Sequence, residues 1–328
     1  MPRPSPVALP GTPARRRRAR TALAVVTTAV ALAVAVPTAA GATPPGVRLL
    51  GVDECAVDVN DHGVVVTDTH VVDRGRVLPL PGGLTSAAAI NDRGQIAGLV
   101  DGRAAFWDGR RLHRIGVADP ADTFETVSAV SGRGEVVGTS GTFGGERHAW
   151  RWRDGVLTPL ASLGGSTGAN DVNDAGQVVG DAWVESRQVP VRWEPDGTLT
   201  TLPTLGDGTG DGLAAALDSH GRSAGYAYTD GVMHATRWSA RAAVTDVTPT
   251  GTSFGIVTDL NDRGVAVGST VPAGLAQHAF VQHPGAPARL VAPPDGADAI
   301  VLSAVNDLGL AVGCVVDEIG LHAVSWRG

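Results

Sequence analysis

The chain contains no lysine, so all 26 basic residues among its 328 are arginine. It is also poor in aromatic residues (4%), in charged residues (18%) and in cysteine, of which there are two. With Lys missing and Gly, Val and Thr abundant, helices are disfavoured and short strands joined by tight turns are favoured. The sequence shows no zinc-type His/Cys spacing, no phosphate-binding loop and no dinucleotide fingerprint, so no cofactor is expected. What is present is 44 Gly, 21 Pro and 43% hydrophobic residues. That is enough for a sizeable core in one large all-β domain or two smaller ones.

The N-terminus stands apart in composition. Arg15 to Arg18 with Arg20 form a positively charged head, Thr21 to Val36 an apolar run of 16 residues, and Ala40-Gly41-Ala42 a set of small residues. That order is the pattern of a secretory signal peptide over 1–42, cleaved after Ala42. An uncleaved anchor is the rival reading, but the run is short of the roughly 20 residues a membrane span needs. A twin-Arg signal fits less well, because Arg20 and Thr21 stand where apolar residues should follow an Arg pair. Removing 1–42 takes away six Arg and no acid, so the net charge goes from −7 to −13. A chain that acidic is a poor partner for nucleic acid or an anionic membrane. The expected mature protein is secreted, has no membrane span and is a monomer.

A four-residue turn organises the rest of the chain. Its copies are Asn60-Asp61-His62-Gly63, Asn91-Asp92-Arg93-Gly94, Ser131-Gly132-Arg133-Gly134, Asn173-Asp174-Ala175-Gly176, Asp218-Ser219-His220-Gly221, Asn261-Asp262-Arg263-Gly264 and Asn306-Asp307-Leu308-Gly309. Their final glycines lie 31, 40, 42, 45, 43 and 45 residues apart, a blade-sized period of about 43 residues. An apolar residue precedes each turn and a short β-branched or small run follows it, as in Val178-Val179. Asn and Asp bond their own backbone and Gly takes the positive φ that closes the turn, so each copy reads as a β-hairpin. A calcium role for the Asn-Asp pairs is weaker, since copies three and five lose the pair and keep the turn chemistry. No metal site is assigned.

A third strand follows each hairpin, marked by His148-Ala149-Trp150-Arg151-Trp152, His234-Ala235-Thr236-Arg237-Trp238, His278-Ala279-Phe280 and His322-Ala323-Val324-Ser325-Trp326. Its aromatic residue is expected between blades, and its recurring His reads as a hydrogen-bonding residue rather than a metal ligand. A fourth short strand comes after a further turn, as at Val156 to Leu160 and Leu199 to Leu202. Only six fourth strands follow a third, because the chain stops just after Trp326. The seventh stands at the other end, in Gly46 to Leu50.

This offset predicts an all-β seven-bladed propeller, closed by pairing the N-terminal strand with the last blade, because a ring removes the open ends of a linear array. The expected single domain is 43–328, with blades near 52–80, 84–115, 124–160, 166–202, 210–247, 252–291 and 297–328 plus 46–50. Cys55 and Cys314 then fall in neighbouring blades, where a disulfide reinforces closure; two free buried thiols are the alternative.

Asn-Asp-X-Gly-Gln-Val-Val-Gly, here Asn173 to Gly180, together with His-Ala-Phe or His-Ala-X-X-Trp and Leu163-Gly164-Gly165, resembles the bacterial HAF-type extracellular repeat. The resemblance runs from Gly46 to Gly328 and departs in copies three and five, and His is missing from the third strand of units two and four. It implies an exported, propeller-like repeat protein and carries no functional residues.

The turns between strands one and two and between three and four repeat, so variation collects on the opposite face, the usual place for binding. There Phe143, Arg147, Trp183, Arg187, Tyr226 and Tyr228 are the candidate ligand-binding residues, with a carbohydrate or protein partner. The alternative is a glycan-active hydrolase or lyase using acids near the central channel, Asp58, Asp171 and Asp259, which share one repeat position two residues before the turn. A passive cell-surface or matrix component is a third reading. Gly164 to Gly168 fits Gly-X-Ser-X-Gly without the strand-turn-helix context a nucleophile elbow needs, and Asp207 to Gly212 lacks the Glu of a calcium loop.

Overall fold

The computed structural model describes residues 46–273 and 276–328. The expected signal peptide lies outside them. Seven antiparallel four-stranded sheets follow one another along the chain. Their first strands are Ala56–Val59, Ser86–Ile90, Phe124–Val130, Thr167–Val172, Gly212–Leu217, Thr252–Leu260 and Ala297–Val305. Each first strand contacts the first strand of the next sheet all the way round, the last touching the first, so these seven strands wall a central channel. The architecture is the all-β seven-bladed propeller read from the repeat. Among the described residues no helix is long and apolar enough to cross a membrane.

The ring closes as the cyclic offset requires. Val47–Leu49 pairs antiparallel with Leu321–Trp326, placing Val47 opposite Trp326 and completing blade seven. Cys55, just before the first strand of blade one, is bonded to Cys314 in the second strand of blade seven. The bridge spans 259 residues of sequence and joins the two blades where the ring is sealed.

Core packing is divided among the seven seams between blades. At each seam one sheet lays Val and Ala against the next: Ala129, Val137 and Ala149 of blade three meet Val178, Val191 and Trp193 of blade four. Trp193 and Trp238 are buried, and their indole N–H groups donate to the carbonyls of Ala161 and Pro203 in the connections behind them, at 2.8 and 2.6 Å. Trp193 and Trp238 therefore pack between blades with their N–H groups satisfied, whereas the buried indole N–H of Trp150 in blade three has no partner among the described residues.

The glycine that ends Val-Val-Gly has a steric cause. Each first strand carries a β-bulge, as between Ala169 and Asp171, which pushes backbone toward the second strand. A Cβ at Gly180 would collide with the carbonyl oxygen of Gly168, and one at Gly313 with that of Val301. Blade one departs, with Thr67 paired opposite Ala56.

Candidate functional site

The turns are more than local hairpins. Asn60 accepts the N–H groups of His62 and Val64 in its own turn, and its amide donates to the carbonyl of Asn91 in the next blade at 3.1 Å. Asn91, Asn173, Asn261 and Asn306 repeat this reach across their seams at 2.8 to 3.0 Å, and Asn306 returns to Asn60. The Asp beside them works in the other direction. Asp92, Asp174, Asp262, Asp307 and Asp61 each accept a backbone N–H from the preceding blade, at 2.7 to 3.0 Å.

Copies three and five explain themselves in this ring. Ser131 and Asp218 have no amide to donate, and Gly132 and Ser219 have no carboxylate to accept. Yet seams three–four and five–six keep their Asp bond, through Asp174 and Asp262, and seams two–three and four–five keep their Asn bond, through Asn91 and Asn173. No seam is left without a latch.

The channel acids form a second ring deeper in. Asp171 accepts the N–H of Val172 at 2.7 Å with one oxygen and that of Leu217, in the next blade, at 2.6 Å with the other. Asp58 does the same with Val59 and Ile90, and Asp259 with Leu260 and Val305. The equivalent residues of the other blades are Ala89, Ala129, Ala216 and Ala304, so every Asp leans toward a blade that has Ala at this position.

Burial raises these carboxyls, to about 6 for Asp58, about 7 for Asp171 and about 8 for Asp259, against the downward pull of their N–H donors. Asp58 and Asp171 add repulsion at Asp259. As whole residues all three are only half-buried, because they border the channel. The upward direction follows from the protein atoms crowded around them, and water in the channel damps it.

The opposite face holds a polar cluster across blades three to five. Arg147 opens the third strand of blade three and donates to Asp181 of blade four at 2.8 Å; Arg147 is 21% exposed and the Asp181 side chain 2%. Gly168 leaves room for the pair, since a Cβ there would stand 2.7 Å from Asp181 Oδ1. Tyr226 is buried beside it, donating to Gln188 Oε1 at 3.1 Å, with the Tyr228 ring edge-on at 5.9 Å. Burial, with Asp181 nearby, raises the Tyr226 phenol. Arg187 donates to the Thr209 carbonyl in the following connection. Trp183 is half-buried opposite Gln188.

Phe143 differs from all of these. It is 74% exposed at the tip of the hairpin leading into Arg147, its ring 5.3 Å from that of Phe124. The structure thus brings Arg147, Tyr226 and Tyr228 together and places Phe143 on the rim. Asp181 and Glu125 escaped notice in the sequence, although both are buried acids bound by an Arg of the preceding blade. The available signal was an Arg at the start of each third strand of blades two to four, Arg103, Arg147 and Arg187, although the three are not in one register.

Of the repeated His residues, His278 meets the Ala276 carbonyl at 2.9 Å, and the others are held by carboxylates. His70 meets Glu54 at 2.9 Å, His148 meets Asp122 at 3.1 Å and His234 meets Asp246 at 2.9 Å, while His322 lies between Asp53 and Asp317. Among the described residues no three His, Cys, Asp or Glu are grouped to hold a metal ion. Ser166 of the Gly-X-Ser-X-Gly stretch accepts the Arg147 N–H at 3.0 Å, in the connection ahead of an inner strand.

No family model matches the chain, and no curated protein matches its sequence. The fold is similar to solved propellers. For the β-propeller domain of the Trilobed protease from Pyrococcus furiosus the TM-score is 0.56 at 10% identity, over 87% of this chain and 94% of the other. For virginiamycin B lyase from Staphylococcus aureus it is 0.52 at 10% identity, over 86% and 99%. For TolB from Acinetobacter baumannii it is 0.44 at 11%, with 76% of this chain spanning 65% of that one, just under two thirds of its length. At these identities the likeness is of fold alone. The Pyrococcus domain is described as having an open velcro topology, whereas the first strand here closes the ring.

Proposed function

We propose that the chain is an exported repeat protein of the HAF-like kind that binds a carbohydrate or protein through the face opposite its Asn-Asp turns, around Phe143, Arg147, Trp183, Arg187, Tyr226 and Tyr228. The observation that carries this reading is Phe143, a large aromatic 74% exposed against Phe124 on a loop that the repeat does not require. An exposed aromatic beside fixed Arg and Tyr groups suits ring stacking with a saccharide or anchoring of a protein side chain. Export is supported by the leader pattern and by the disulfide, which belongs to oxidising compartments. The glycan-active alternative draws less support from the channel acids, because both oxygens of Asp58, Asp171 and Asp259 are engaged by backbone N–H groups.

The test is binding of the purified chain to a glycan array and to extracellular proteins in pull-down. A ligand retained by the native chain and lost by Phe143→Ala, with melting unchanged, supports the reading. Silence in both assays, or binding indifferent to Phe143, overturns it.

A further inference from the structure

The seam that seals the ring differs from those that follow blades two to five in how its outer cleft is filled. On each third strand, the residue opposite the second residue of the neighbouring strand faces the next blade. In blades two to five it is long, Phe106, Arg151, Arg192 and Arg237, and in blades one and six it is Val71 and Val281. Arg151 pairs with Glu135 and donates to the carbonyl of Gly176 across the seam at 2.7 Å, while Arg192 donates to the carbonyl of Ala240 at 3.1 Å. In blade seven the same position, opposite Val312, is Ser325. Where Glu135 stands after its turn, blade seven has Leu310.

The result is visible by comparing two clefts. Between blades three and four the space is about 430 Å³, and its charges are matched, with Arg151 on Glu135 and Arg153 3.5 Å from Asp154. Between blades seven and one it is about 720 Å³ and is lined by Arg48, Arg74 and Arg327 without any acid. Arg74 has only a loose, exposed contact with Asp73 at 3.9 Å, and Arg48 and Arg327 make no ion pair among the described residues. The floor is apolar, from Leu50, Val72 and Leu310. Three guanidinium groups thus stand around an apolar floor with no carboxylate among the lining residues.

We propose that this cleft, distinct from the loop face, binds a small organic anion, a carboxylate or phosphate carried on a body with an apolar side, of about monosaccharide to disaccharide size. Planar guanidinium groups pair with two oxygens of such an anion at once. The floor accepts the apolar side, and the volume lies within the range of small-ligand sites. The ligand would touch Val47–Leu49 and blade one together, so its binding also reports on closure of the ring.

Calorimetry on the full chain tests this with four probes: D-glucuronate for the carboxylate source, glucose 6-phosphate for the phosphate source, inorganic phosphate for the bare anion and glucose as neutral control. At least one sugar acid should bind, more tightly than inorganic phosphate, and glucose should not. Arg48→Ala and Arg327→Ala, both at exposed positions, should each weaken it about tenfold. Ser325→Arg with Leu310→Glu, which rebuilds the filling of blade three, should abolish it, and Phe143→Ala should leave it unchanged. Absence of binding by either sugar acid at roughly 10 mM, binding indifferent to both Arg changes, or loss with Phe143→Ala each overturns the proposal.

Discussion

On the turn face Asn60, Asn91, Asn173, Asn261 and Asn306 each tie one blade to the next, and where a copy loses its Asn or its Asp the seam keeps the other bond. On the loop face the bonds across seams vary in kind: a buried carboxylate for Arg103 and Arg147, a backbone carbonyl for Arg187. The two faces share strands, register and core. Their difference teaches that the repeated sequence is kept by the ring's own bonding, whereas residues outside the repeat are free to answer to a ligand.

The largest expected effect lies where the ring is sealed. Replacing both Cys55 and Cys314 by Ser should lower stability by about 2–4 kcal/mol in denaturant unfolding, since the bridge constrains the unfolded chain over a long loop. A loss below half of that would mean that strand pairing and the turn latches hold the seam unaided.

Next come the latches. Asp171→Ala leaves the N–H groups of Val172 and Leu217 without their acceptor and should cost about 1–3 kcal/mol. Asn306→Ala removes a turn cap and the bond to Asn60, and should cost about 1–2 kcal/mol. Ser131→Ala removes only the local cap and should cost less than Asn306→Ala; equal losses would sink the idea that Asn acts across the seam.

Stability should also depend on pH through the channel. With folded values raised above the ordinary aspartate value of 3.8, to about 6, 7 and 8, the folded chain holds more protons than the unfolded chain between those limits. Ionising the three acids therefore weakens the fold at pH 8 relative to its stability at low pH, and this penalty fades as pH falls toward 4. His322, raised by its bond to Asp317 and then by Asp53, acts in the same direction. Melting temperature should rise from pH 8.5 to 5, and the rise should flatten when Asp58, Asp171 and Asp259 are all replaced by Ala. A native profile that falls over that range would contradict the raised values.

The smallest effect on stability belongs to the loop face. Phe143→Ala should change unfolding by no more than about 0.5 kcal/mol, as for an exposed side chain. A larger loss would show that its contact with Phe124 is part of the fold.

The fold was legible in the sequence because its signals are local and repeated: Gly in a turn, an apolar residue before it, a strand after it. The missing fourth strand and the position of Cys55 and Cys314 even made the closure readable. The latches were not, because the partner of the Asn60 amide is 31 residues away and a turn residue looks the same whether or not it also reaches sideways. Asp181 and Tyr226 met only through the packing of blades three, four and five, which no spacing along the chain encodes. The cleft at the seal was hidden for a related reason: Ser325 attracts notice only when set beside Arg151, Arg192 and Arg237 in register.

The offset of one strand also sets an order in time. Val47–Leu49 is among the first segments of the ring to be synthesised, and its partner Leu321–Trp326 among the last. Until the C-terminal residues exist, blade seven has no body and the first strand has nowhere to dock.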